Sequence, residues 1–166
     1  MAFIVTLSGC NNGSRESRDD RFSMSSLSAY NFSTEGIQEY YVDGAWGSGV
    51  GIGSGGGSVC CVQIPSKWYE GLQVNLEWRR SDCGKGVDEN GRSFCRNEPG
   101  NPTVNLKRTI PVEPYSEPGT IQIMFLPNDE IRIYVSEDAP WGPDHPSHLG
   151  SPRPLTPDEA QGLLAK

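Results

Sequence analysis

The sequence contains no apolar run approaching the roughly 20 residues that a membrane-spanning helix needs, and cations are scarce. Lysine and arginine together number 14 against 21 acids, a net charge of −7. Nucleic-acid binding requires clustered positive groups to neutralise phosphates, so no nucleic-acid partner is expected. Histidine is scarcer still. His145 and His148 are the only two, so any Ser-His or Cys-His catalytic arrangement must use one of them. Both sit in the proline-rich stretch "PWGPDHPSHLGSPRP", a poor rigid scaffold for a general base. No serine occupies a G-x-S-x-G elbow, because Ser58 has Cys60 where the last glycine belongs.

What the sequence has in abundance is glycine, 20 residues, together with 13 prolines. That composition favours turns and short strands over long helices. The densest stretch is "GSGVGIGSGGGSVCCV", residues 47–62. Gly51, Gly53 and Gly56 satisfy G-x-G-x-x-G, but that motif holds a pyrophosphate only where a helix N-terminus follows it. Here Val59-Cys60-Cys61-Val62 follows, β-prone and closed by Pro65, and no lysine supplies a P-loop. No nucleotide is expected. The glycines are read as backbone freedom, positions of positive φ or of close approach between chains.

Strand signals recur along the rest of the chain. "SAYNFS" and "IQEYYV" flank a Thr34-Glu35-Gly36 turn. "LQVNLEW" alternates cleanly, with Leu72, Val74, Leu76 and Trp78 on one face and Gln73, Asn75 and Glu77 on the other. "TIQIMFL" and "EIRIYVS" flank Pro127-Asn128-Asp129 and read as a hairpin. Near the end, Thr156-Pro157-Asp158-Glu159 carries an N-cap, a proline at the first helical position and a glutamate three residues past the cap, with Leu163 and Leu164 as apolar contacts. The expected fold is mainly β, an antiparallel sandwich or partly open barrel with a short C-terminal helix.

The N-terminus, "MAFIVTLSGC", is a short apolar run ending in Leu7-Ser8-Gly9-Cys10. It looks like a lipobox, although the positive segment of a signal peptide is absent; an ordinary buried strand over residues 2–7 is the alternative. Residues 1–9 are accordingly read as residual signal peptide. Residues 10–27, polar and serine-rich, are read as a tether from acylated Cys10, and residues 28–166 as one β-rich domain. Four cysteines remain, Cys60, Cys61, Cys83 and Cys95. Pairing Cys83 with Cys95 closes the shortest polar loop. The adjacent Cys60 and Cys61 are open to three readings: a thiol pair, a vicinal bridge, or partners for the other two. Their spacing lacks a zinc knuckle, and no metal or other cofactor is expected.

From residue 113 onward, nine acids face only Arg132, Arg153 and Lys166. Such a region steers a basic partner or simply keeps the surface solvated. Trp46 and Trp141 lie in irregular, glycine- and proline-flanked segments, where a large aromatic is a lid on the core or an exposed anchor.

"IQEYYVDGAWG" followed by glycines, then "SVCCVQIPSKWYEGLQVNLEW", "VEPY" and "MFLPNDEIRIYVS" resemble a family of small bacterial lipoprotein domains catalogued as a domain of unknown function. Some members look like immunity proteins for type VI secretion lipases. The likeness spans about Tyr30 to His145, and the insert bearing Cys83 and Cys95 looks additional to it. It implies no catalytic residue: the protein would bind and neutralise a secreted phospholipase from the periplasmic face of the outer membrane. Trp46, Asp129, Asp138, Trp141 and Asp144 are the expected contact residues. A structural envelope scaffold, or a small hydrolase or metal protein using His145 or His148, are the rival readings.

Overall fold

The computed structural model describes residues 20–82 and 102–166. Eight strands form two four-stranded sheets: β1 (Phe22–Asn31), β2 (Ile37–Val42), β3 (Ala45–Gly47), β4 (Gly55–Pro65), β5 (Gln73–Ser81), β6 (Thr103–Pro111), β7 (Thr120–Phe125) and β8 (Ile131–Ser136). The first sheet runs β4-β1-β7-β8 and the second β3-β2-β5-β6. They face each other as a sandwich, without closing into a barrel. All pairings are antiparallel except β1 with β7, which is parallel in the register Leu27↔Ile121 to Asn31↔Phe125.

Alternation places the core. Leu27 and Ala29 of β1, Ile121, Ile123 and Phe125 of β7, and Ile131, Ile133 and Val135 of β8 meet Tyr40, Val42, Val74, Leu76 and Trp78 of the opposite sheet. The even-numbered face of "LQVNLEW" is the buried one, with Leu76 fully buried and Trp78 3% exposed. Trp78 is therefore a core residue, as its periodicity predicts. Tyr40, packed edge-on against Phe125 at 5.9 Å, has its hydroxyl pKa pushed up to about 12 by burial.

A second apolar cluster lies on the other face of the first sheet. Tyr30, Met124 and Tyr134 point outward there and are covered by Leu149, Leu155 and Ala160 from the C-terminal segment. That segment ends in α1 (Pro157–Leu164), whose capping box is formed as its sequence predicts: Thr156 Oγ1 accepts from the Glu159 N–H, and the Glu159 carboxylate accepts from the Thr156 N–H.

"SAYNFS" and "IQEYYV" fall on consecutive strands joined through Thr34-Glu35-Gly36, as expected, and these strands belong to different sheets, β1 to the first and β2 to the second. The segment between them is a crossover organised by buried Asn31, whose Nδ2 donates to Glu35 O (2.8 Å) while its Oδ1 accepts from the Ser33 N–H (2.9 Å). The folded unit begins before residue 28. Phe22 to Leu27 already pair with β4, so the stretch read as tether contributes half a strand. The serines of β1 are accommodated as the sheet forms: Ser23 hydrogen-bonds Ser66, Ser28 donates to Gly57 O, and Ser25 is buried.

The glycine run supplies the close approach. Gly55 lies opposite Tyr30, and a Cβ there would sit 2.5 Å from the Tyr30 ring and 2.7 Å from Ala29 O. Backbone cannot yield as a flexible side chain can. Gly55→Ala is expected to cost about 1–3 kcal/mol, whereas Gly57→Ala, with nothing within 4 Å of the new methyl, should leave the urea midpoint almost unchanged. Equal midpoints for the two variants would refute this use of the glycines.

Candidate partner-binding site

The segment from residue 137 to 150 crosses the outer face of the first sheet, and a buried polar network fixes it there. Gln122, in the otherwise apolar strand "TIQIMF", points outward from β7 and is 2% exposed. Its Nε2 donates to Ser136 O (3.0 Å) and Asp138 O (2.7 Å). Its Oε1 meets Nε2 of His145 at 3.1 Å. The other ring nitrogen, Nδ1, accepts from the Ser147 N–H (3.1 Å) and lies 2.8 Å from Ser147 Oγ. Because Nδ1 accepts a backbone N–H, the proton resides on Nε2 and is donated to Gln122.

His145 is fully buried. Burial holds its pKa below the ordinary histidine value, outweighing the opposing pull of Asp138. Tyr134 stands edge-on to the imidazole at 5.4 Å, and its own hydroxyl is pushed up to about 12 by burial. Both ring nitrogens are thus occupied by structural partners. His148 is exposed and adopts a left-handed backbone, φ 54°. Among the described residues, no three His, Cys, Asp or Glu side chains come together as a metal site.

What the network presents to solvent is the Trp141 turn. Trp141 is 55% exposed and rests edge-on against Tyr30, ring centres 6.0 Å apart. The turn is closed by the Gly142 N–H to Ala139 O (2.7 Å) and the Gly150 N–H to Pro140 O (3.2 Å). Asp138 and Asp144 flank it, both exposed. Three of the expected contact residues therefore share one rigid loop.

The other two do not. Trp46, 54% exposed, stands on β3 at an edge of the second sheet, opposite Tyr41. Asp129 is committed internally. Its carboxylate receives Arg80 Nε and Nη2, the latter at 2.7 Å, and this bond holds the guanidinium above its ordinary pKa. The Asp129 carbonyl also accepts from Arg108 at 2.7 Å. The pair ties the β7–β8 turn to the opposite sheet, and that turn uses left-handed backbone at Asn128 and Asp129 (φ 60° and 57°).

Cys60 and Cys61 are bonded to each other as a vicinal disulfide in β4, at the edge of the first sheet. Cys10, Cys83 and Cys95 lie outside the described residues. Sequence reasoning missed Gln122, Ser147 and Tyr30, the residues that hold the loop. Only Gln122 carries a visible signal, a lone amide inside an apolar strand.

The profile of one protein family, described as a protein of unknown function (DUF3304), matches residues 30–133. No curated protein and no solved structure matches the chain.

Proposed function

This chain belongs to the DUF3304 family, and we propose that it is a type VI secretion immunity protein that binds and neutralises a phospholipase effector, held at the periplasmic face of the outer membrane by acylated Cys10. The observation that carries this reading is Trp141, half exposed on a loop that buried hydrogen bonds lock to the sheet. An anchor ordered before binding loses little entropy on association, which is what tight inhibitors require. The acidic flank of Asp138 and Asp144 adds electrostatic steering towards a basic rim. Both nitrogens of His145 have structural partners, which further favours adhesion over turnover.

Asp129 is not part of the proposed contact, because its carboxylate is held by Arg80 and reversing its charge would disrupt the β7–β8 turn as well as any interface. The test is co-expression with a type VI phospholipase effector. The wild-type chain should protect cells, and Asp138→Lys/Asp144→Lys should slow association severalfold at low salt while leaving folding intact. Unchanged association in the double variant would move the contact elsewhere. Absence of protection by the wild type would favour the envelope-scaffold reading.

A further inference from the structure

One end of the sandwich is apolar and open. Phe22, Pro65 and Tyr69 line a surface groove of about 490 Å³, and the same three residues line the mouth of a second cavity, about 190 Å³, that reaches between the sheets to Leu72, Val112 and Ile121. Phe22 is 43% exposed and Tyr69 55%. The walls are held firmly: the Ser66 N–H donates to Arg21 O (2.8 Å), and Tyr115 donates through its hydroxyl to Pro65 O (2.7 Å). The cavity is lined mainly by apolar side chains, with Asp43, Gln63 and Gln73 also on its wall; large exposed aromatics beside such a preformed space mark a place where something largely apolar binds.

We infer that this end is a seat for a bilayer phospholipid, with an acyl chain entering the cavity and Phe22 and Tyr69 lying at the boundary between headgroups and chains. The inference rests on the reading of Cys10 as the acylated residue. Asp20 lines the groove, and ten residues of chain span at most about 35 Å. The groove therefore lies within that distance of whatever membrane holds Cys10. Charge agrees with position. The chain as a whole carries −7 and its acid-rich C-terminal third would be repelled by an anionic leaflet, but the groove is rimmed by Asp20, Arg21 and Lys67. Charges of both signs, with one more cation than anion, suit the phosphate and ammonium of a zwitterionic headgroup. Aromatics of this kind, seated at the headgroup level, supply weak and reversible attachment that a covalent lipid then makes stable.

The test uses the full chain carrying Cys10→Ser, so that no acyl anchor contributes, and vesicles of phosphatidylethanolamine and phosphatidylcholine. The protein should float with the vesicles, and Phe22→Ser/Tyr69→Ser should lower its partition at least about tenfold. Tyr69→Ser alone, at an exposed turn, provides the same comparison should the double variant fold poorly. Vesicles with brominated acyl chains should also quench tryptophan emission, and Trp68→Phe should remove much of that quenching, since Trp68 donates to Val112 O at 2.9 Å beside the cavity. A chain that does not float, or floats equally well with Tyr69 replaced, overturns the inference. So does loss of dimerisation or of lipase inhibition in the variants with flotation unchanged, which would assign the groove to a second copy or to the lipase. No lipase is present in the vesicle assay, so its failure leaves the proposed function untouched, and failure of cell protection leaves flotation to be judged alone.

Discussion

Replacing His145 with alanine is expected to destabilise the protein by about 3 kcal/mol. The change removes a ring that is fully buried and leaves the Oε1 of Gln122 without a donor in an apolar setting. The cavity and the orphaned acceptor both contribute to that cost. The same ring predicts a pH dependence. Its folded pKa lies below the ordinary value of 6.5, so the unfolded chain binds the extra proton first. Stability should be complete above pH ~6.5 and should decline as pH falls below it, towards the depressed folded value. Urea midpoints at neutral and mildly acidic pH measure this. In His145→Asn that portion of the pH dependence should vanish, whereas His148→Asn, at an exposed left-handed position that asparagine tolerates, should resemble wild type. A His145 variant of undiminished stability would contradict the structural role assigned to the ring.

The second large effect concerns affinity. Trp141→Ala removes a side chain that is 55% exposed and makes one aromatic contact, with Tyr30. Folding should lose no more than about 1 kcal/mol. On the proposed function, binding to a phospholipase effector should lose about 2 kcal/mol or more, roughly a 30-fold rise in Kd, seen mainly as faster dissociation. A variant of wild-type affinity would shift attention to Trp46 on the opposite sheet.

Much of the fold was legible because periodicity and turn chemistry agree with the final packing. "LQVNLEW" alternates without interruption, Pro127-Asn128-Asp129 supplies left-handed backbone where β7 turns into β8, and Thr156 with Glu159 makes its capping box from local interactions alone. What stayed hidden depends on long-range contact. The serines of β1 look solvating until a neighbouring strand offers them partners. The parallel pairing of β1 with β7 joins segments some ninety residues apart, and no local pattern announces it.

The site was legible in part for the same reason. Trp141, Asp138 and Asp144 are close in sequence and remain together in space. Asp129 looked like another surface acid, but its partner Arg80 comes from a strand 49 residues away. His145 looked poorly supported among prolines; Gln122, 23 residues earlier, makes it one of the most firmly held side chains in the molecule.

The claim that this molecule works by adhesion is tested most directly by titrating phospholipid hydrolysis by the effector with the purified Cys10→Ser chain. Activity should fall linearly and vanish at one equivalent of chain, with the shape of the curve unchanged in His148→Asn and shifted to weak, hyperbolic inhibition in Trp141→Ala. Full effector activity in the presence of a large excess of folded chain would contradict the account, as would turnover of a substrate by the chain itself that a point substitution abolishes without unfolding it.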